Sequence, residues 1–193
     1  MVAFALCAHR PALAVPRFAA LAVAVGAFGL SLVRARRPMR MLGLTRPRPP
    51  QLAWFAVSLA AGAALAVWYR HLQGRPVRPV TLTWFAFPAA AIGLTEEFAY
   101  RGYLQGALRR YGVLLACAAA AMAHTAYKRS LFAFPDVPIR AEAVTLTVGT
   151  LGFGFLFGLL REGSGGLAAP AAAHVAFDIV AYGDLPAAPW WVL

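Results

Sequence analysis

Long apolar stretches alternate with short Arg- and Pro-rich segments along this chain. A helix that crosses a bilayer needs roughly 20 mostly apolar residues, so these stretches predict membrane-spanning helices. About six such helices are predicted, one within residues 1–33 (cleanest at 18–33) and five at 51–69, 80–110, 112–127, 141–160 and 167–182. The pattern therefore predicts an all-α, polytopic membrane helical bundle.

The segments between the apolar stretches are polar and contain residues that interrupt helices. Residues 34–50 carry six Arg and four Pro, and further loops are predicted at 70–79, 128–140 and 161–166. Residues 1–33 have neither a basic leading segment nor a convincing cleavage site. We therefore expect a retained first span and not a signal peptide.

Composition strengthens the prediction of a membrane protein. The 193 residues are 61% hydrophobic and 13% charged, and the mean hydropathy is +0.66. A soluble domain has about 45–50% apolar and about 25% charged residues. Six spans would use almost the whole length, so residues 1–193 are expected to form a single integral membrane domain.

The net charge of +11 does not indicate nucleic acid, because most basic residues lie in short runs between apolar segments. Such flanks are selected by the positive-inside rule, so the expected partner is the lipid bilayer. The Arg-rich segment 34–50 should be cytoplasmic, which places both termini of a six-span chain outside. A bias towards Arg and Ala suggests a GC-rich bacterial genome, and hence an inner-membrane protein.

Six ionisable residues fall inside predicted spans, where each charge costs at least about 2.5–3.5 kcal/mol at the bilayer centre. Such groups normally face one another or a water-filled cavity, so we expect one shared site. The six residues are Glu96, Glu97, Arg101, His124, His174 and Asp178.

Helical spacing divides these residues into pairs. Residues four apart lie on one face, so Glu97 should pair with Arg101, and His174 should share a face with Asp178. Glu96 is rotated by about 100° from Glu97 and is left for chemistry. Glu96 and His124 can together deprotonate a water, while His174 can donate to the oxyanion formed at a carbonyl. This arrangement describes a peptide hydrolase that needs no Ser or Cys nucleophile.

Taken together, the motifs resemble a known family. Residues 96–101 form an EExxxR motif, a His ends the next span, and HxxxD lies in the last span. Over about residues 82–182, this set resembles the CPBP family of glutamic intramembrane proteases, which includes type II CAAX prenyl endopeptidases and bacteriocin-processing proteins. The resemblance implies a catalytic core at about 80–182, with Glu96 and His124 activating water. It also implies that Glu97 and Arg101 hold the site together, and that His174 and the residue four further on form an oxyanion hole.

Two positions depart from the family pattern. Ala120 stands where the second motif usually has Phe, and Asp178 stands where the last motif often has Asn. An ionised Asp would repel an oxyanion, so Asp178 must either be protonated or orient His174. We favour the second role.

Three functions remain open from the sequence. The leading one is an endopeptidase without cofactor or metal that cuts a membrane-associated protein or peptide. Its substrate would carry either a CAAX-like tail or a C-terminal sorting signal of the kind that myxosortases process. The same two His with a Glu or Asp would also suit zinc, although HExxH is absent. The third possibility is a non-enzymatic immunity or scaffold protein.

Overall fold

The computed structural model describes residues 14–44, 49–76, 81–131 and 143–185, and every regular element in these ranges is helical. The all-α prediction is therefore confirmed for this part of the chain. The α-helices are α1 (Ala14–Arg34), α2 (Pro38–Leu42), α3 (Pro49–Leu72), α4 (Ala86–Glu97), α5 (Val113–Leu131), α6 (Ala143–Ser164) and α7 (Ala168–Tyr182).

A π-helical segment, Phe98–Gln105, continues α4 without a break. Two short turns, Gly106–Leu108 and Arg109–Tyr111, complete this helical rod. The predicted helix 80–110 is therefore present, but its regular part begins at Ala86 and its first residue, Val80, lies outside the described ranges.

Thr83 explains the late start of α4. Its backbone nitrogen donates to the carbonyl of Gly183 at 2.8 Å, and its hydroxyl donates to the carbonyl of Leu185 at 2.6 Å. The Thr83 hydroxyl in turn accepts from the backbone nitrogen of Phe85 at 3.2 Å. These bonds hold the chain in a non-helical conformation against the end of α7 until the helix can begin.

Helix α7 is the centre of the bundle, because α3 and α4 both pack along it. Small residues make this close packing possible in lipid. A Cβ atom placed on Gly62 of α3 would collide with the backbone carbonyl of Ala173 in α7. Helices α5 and α6 form the other extensive pair.

A polar clamp joins the ends of α3 and α7. Arg70 donates to both carboxylate oxygens of Asp184 at 2.8 Å, and Arg75 donates to Oδ1 of Asp184 at 2.6 Å. The hydrogen bond from Arg70, aided by the charge of Arg75, lowers the pKa of the Asp184 carboxyl from its ordinary value of 3.8. The clamp fixes α7 along its axis.

The predicted loop 34–50 is partly helical. The segment 34–50 contains α2, which ends at Gly43 with a φ of 76°. Arg161 donates to the carbonyl of Met41 at 2.5 Å, and the nitrogen of Leu167 donates to the carbonyl of Gly43 at 3.0 Å. These contacts with the rest of the bundle stabilise a helix that is too short to persist alone.

The predicted loops at 128–140 and 161–166 also begin too early. Helix α5 continues to Leu131, and α6 continues to Ser164. The sequence prediction was wrong at both ends because it treated charged residues as the end of a span. In the structure, Lys128 and Arg161 are turned into the protein, where Glu96 and Glu162 compensate their charges.

The distribution of polarity is the reverse of that in a soluble protein. Large apolar side chains such as Val57 and Val148 are 60% and 65% exposed, whereas several charged side chains are buried. Among the described residues, Pro50–Leu72 and Val144–Ser164 are long and apolar enough to cross a membrane, and Ala19–Arg34 and Ala168–Tyr182 are shorter apolar helices. The helices are thus compatible with membrane insertion, and within the described ranges two of them meet the length and hydropathy required of a span.

Candidate active site

The six ionisable residues predicted to share a site do meet inside the bundle. Helix α4 and its π-helical continuation contribute the two glutamates and the arginine, while α5 and α7 contribute the histidines and the aspartate. All six are at most 5% exposed: Glu96, Glu97, Arg101, His124, His174 and Asp178.

Glu97 binds two of the others through one oxygen. Its Oε1 accepts from Nη1 of Arg101 at 2.7 Å and from Nδ1 of His174 at 2.7 Å. The predicted pair with Arg101 is therefore present. Because Nδ1 of His174 carries the donated proton, its Nε2 is the nitrogen that is available for another partner.

Glu96 makes a separate set of contacts. Its Oε2 lies 2.9 Å from Nε2 of His124, and its Oε1 lies 2.6 Å from Nζ of Lys128. Nη2 of Arg101 lies 3.4 Å from Nδ1 of His124. Since a guanidinium can only donate, this nitrogen of His124 accepts, and Nε2–H of His124 donates to Glu96.

Lys128 is the member of the site that sequence reasoning missed. It was assigned to a loop because it follows the apolar part of the fourth predicted span. One signal was available: Lys128 lies four residues after His124, so a helix that continued by one turn would place both on the same face.

The ring nitrogen Nε2 of His174 lies between two carboxylates. It is 3.6 Å from Oε2 of Glu96 and 3.7 Å from Oδ2 of Asp178. Both distances exceed those of a direct hydrogen bond, and a bridging water is the ordinary way to join polar groups at such a separation. The short hydrogen bond that orients His174 is the one that its Nδ1 donates to Glu97, on the opposite side of the ring.

Gly93 lets α7 bring Asp178 this close. A Cβ atom on Gly93 would lie 2.6 Å from Oδ2 of Asp178 and 3.3 Å from Cδ2 of His174. A larger residue would therefore displace both side chains. Glycine at this position of α4 serves the approach of the two helices and needs no unusual backbone angle.

Aromatic rings hold the two imidazoles from the sides. Tyr100 lies 4.8 Å from the ring of His124, and Phe157 lies 5.5 Å from the ring of His174, measured between centroids. Ala120, which stands where the family motif usually has Phe, is fully buried. His124 therefore has an aromatic neighbour even though its own helix lacks that Phe.

A cavity of about 530 Å³ adjoins the site, bounded mainly by apolar side chains of α3, α6 and α7. His124, Lys128, His174 and Asp178 contribute to its wall, and neither glutamate is among its lining residues. Glu96 thus lies behind the cavity wall, in contact with the lining residues His124 and Lys128. The volume and apolar walls suit an apolar peptide segment or a lipid-like chain.

Three of the site residues also match a metal-binding geometry. One donor atom from each of Glu96, His124 and His174 can be chosen so that all lie within 4.8 Å of one another. Two imidazoles and a carboxylate form a catalytic zinc shell in other proteins, and Glu97 would supply the carboxylate partner that ligating histidines usually have. The donor set therefore fits zinc.

Buried carboxylates and imidazoles beside an apolar cavity, within helices that expose apolar side chains, are typical of a peptidase embedded in a membrane. A family model described as "Type II CAAX prenyl endopeptidase Rce1-like" matches residues 78–180, which is more than half of the chain. The chain belongs to this family of membrane peptidases, a branch of the CPBP group that the motifs resemble. No curated protein and no solved structure gives a significant match.

Proposed function

We propose that this chain is a glutamic intramembrane endopeptidase, built on about six membrane spans, that hydrolyses a peptide bond of a membrane-associated protein. The observation that carries the proposal is the position of Glu96. Its Oε2 lies 2.9 Å and 3.6 Å from the Nε2 atoms of two imidazoles that line an apolar cavity, those of His124 and His174.

The chemistry begins with a water held between Oε2 of Glu96 and Nε2 of His174. Glu96 accepts a proton from this water as the oxygen attacks the carbonyl carbon of the substrate. Nε2–H of His124 donates a hydrogen bond to the same carboxylate and helps to hold Glu96 in place. The proton then passes from Glu96 to the leaving nitrogen as the C–N bond breaks.

The negative charge on the carbonyl oxygen needs a donor. His174 supplies one from Nε2 when it carries a second proton, and Glu97 offsets that positive charge through Nδ1. Asp178 lies near the same nitrogen, Nε2, which would donate to the oxyanion. The nitrogen that orients the ring, Nδ1, is bound by Glu97 and not by Asp178. This geometry favours a protonated Asp178, the first of the two roles considered for it.

Two substrate classes fit an apolar cavity of this size. One is a prenylated CAAX-like tail, which the family description names. The other is the C-terminal sorting helix of a surface protein, as in the myxosortases. The Arg and Ala bias suggests a bacterial inner membrane, where the sorting or processing role is the better match because CAAX prenylation is not a bacterial modification.

The decisive experiment compares membrane proteomes of cells with and without the gene. Deletion cells should accumulate a membrane protein with an uncleaved terminal segment, and wild-type protein should restore its cleavage. Glu96→Gln should not restore it. Glu162→Gln is the matched control, since it weakens another largely buried ion-pair network, with Arg109 and Arg161, outside the site. Absence of any precursor, or full cleavage by Glu96→Gln, contradicts the proposal and favours a scaffold or immunity protein.

A zinc peptidase is the second candidate, favoured by the spacing of donors from Glu96, His124 and His174. Zinc bound there would polarise the carbonyl and activate water. Elemental analysis of the protein purified without chelators separates the two mechanisms. One tightly bound zinc per chain, lost together with activity in His124→Ala, would replace the metal-free mechanism.

A further inference from the structure

Lys128 occupies an unusual place for a lysine near the end of a helix. Its side chain is 14% exposed, its Nζ lies 2.6 Å from Oε1 of Glu96, and it contributes to the wall of the cavity. Burying an ammonium is costly unless a charged partner compensates it. Glu96 is that partner, so the two charges are held together at the cavity wall.

The two oxygens of Glu96 have different partners. Lys128 binds Oε1, and His124 binds Oε2. The terminal torsion of a glutamate is broad and roughly two-fold, so one hydrogen bond alone leaves the carboxylate free to turn. Two contacts on opposite oxygens fix its plane and keep Oε2 facing the second imidazole, that of His174, 3.6 Å away.

Lys128 also completes the charge balance of the site. Arg101 forms its ion pair with Glu97, and among the described residues Lys128 is the Lys or Arg that forms an ion pair with Glu96. Without the ammonium, the buried charge of Glu96 would have only the imidazoles of His124 and His174 beside it.

We propose that Lys128 is a positioning residue of the peptidase site, which holds Oε1 of Glu96 so that Oε2 is directed at the attacking water. This proposal rests on the proposed function. In this role Lys128 acts through Glu96 and not by binding the substrate. Its removal should therefore slow the chemical step without weakening substrate binding.

The test uses the precursor that accumulates in deletion cells as the substrate for detergent-purified protein. Lys128→Met should lower kcat roughly 100-fold with little change in KM, the size of loss that a misplaced catalytic group causes. Arg129→Met is the matched control, because it removes the same charge from the exposed neighbouring position and should keep wild-type kcat.

A chemical rescue separates positioning from simple loss of folding. In Lys128→Cys, the thiolate displaces bromide from 2-bromoethylamine and forms a thioether side chain that ends in an ammonium, close in length to lysine. Alkylation should restore at least a tenth of the wild-type kcat, while alkylated wild-type protein, which contains Cys7 and Cys117, controls for reaction elsewhere.

The outcomes distinguish the two proposals. If Glu96→Gln is inactive and Lys128→Met retains full kcat, Lys128 is not a positioning residue but the peptidase assignment stands. An inactive Lys128→Cys that alkylation does not rescue also overturns the positioning role. If both Glu96→Gln and Lys128→Met remain fully active, the proposed function itself fails.

Discussion

At the scale of single residues, the two adjacent glutamates, Glu96 and Glu97, have different partners. Sequence spacing predicted the partner of Glu97 on its own helix. Glu97 and Arg101 are four residues apart, and their atoms meet at 2.7 Å. The partners of Glu96 lie on α5, and spacing within one helix cannot predict which residue of another helix approaches it. Lys128 was missed for this reason, and because a charged residue at the end of an apolar stretch usually marks the end of a span.

Asp178→Asn is expected to keep substantial activity, about a tenth or more of the wild-type rate, since Asn preserves a polar group of the same shape beside Nε2 of His174. If Asp178 is needed as a proton carrier, the loss should approach the 10²- to 10⁴-fold typical of general acid–base groups. Cleavage of the accumulated precursor by purified protein measures the difference.

Asp178→Leu provides the comparison for that prediction. It has a similar volume but cannot accept or donate a hydrogen bond, so its activity should fall well below that of the Asn variant. Complete inactivity of Asp178→Asn would count against a simple role in the oxyanion site.

At the scale of helices, the length of the apolar stretch predicted the last helix well. The last predicted span, 167–182, differs from α7 by one residue. The π-helical segment Phe98–Gln105 was not predicted, because no sequence pattern distinguishes it from an α-helix. Tertiary contacts coincide with it: Nη2 of Arg101 lies 3.4 Å from Nδ1 of His124, and Gln105 donates to the carbonyl of Gly158 at 3.0 Å.

Gly62→Ala is expected to destabilise the bundle by about 1–3 kcal/mol, the usual cost of overpacking, because the new Cβ would collide with the backbone carbonyl of Ala173. Activity should fall as well, since His174 follows Ala173 directly. Gly29→Ala in α1 is the control, as a Cβ there meets nothing within 4 Å. Unfolding by SDS in mixed micelles measures both, and equal stability of the two variants would contradict close α3–α7 packing.

Asp184→Asn should weaken the clamp between α3 and α7 by about 1–2 kcal/mol at neutral pH, allowing for the partial exposure of the carboxylate. The hydrogen bond from Arg70 lowers the folded-state pKa of Asp184 below 3.8. A lowered carboxyl pKa contributes stability above the unfolded-state value, and this contribution is lost as the pH falls through the folded-state value. The unfolding free energies of the variant and the wild type should therefore begin to converge as the pH falls below about 4. A gap that stays constant from about pH 7 to about pH 3 would show that the Asp184 charge does not stabilise the clamp.

At the scale of the whole molecule, charged side chains inside and apolar side chains outside indicate a protein whose solvent is lipid. Composition alone predicted this class, and the family match supports it. The number of spans was harder to predict, because α4 and α7 are short and obtain part of their stability from one another and not from the bilayer. Hydropathy predicts spans from the apolar side chains that face lipid. It predicts them less well for helices that are enclosed by other helices.

The orientation of α3 gives a test of the whole-molecule arrangement. Six Arg in 34–50 against three in 70–79 predict that the N-terminal end of α3 is cytoplasmic and its C-terminal end is outside. Met39 is 62% exposed on α2, so Met39→Cys should be accessible to a maleimide; Cys7 is replaced by Ser for this test, and the native Cys117 is fully buried. An impermeant maleimide should label Met39→Cys in inverted vesicles and not in intact cells. Gln73→Cys, placed just after α3, should show the opposite behaviour. Labelling of both cysteines from one side would mean that α3 does not cross the bilayer, and a reversed pattern would invert the orientation inferred from the arginines.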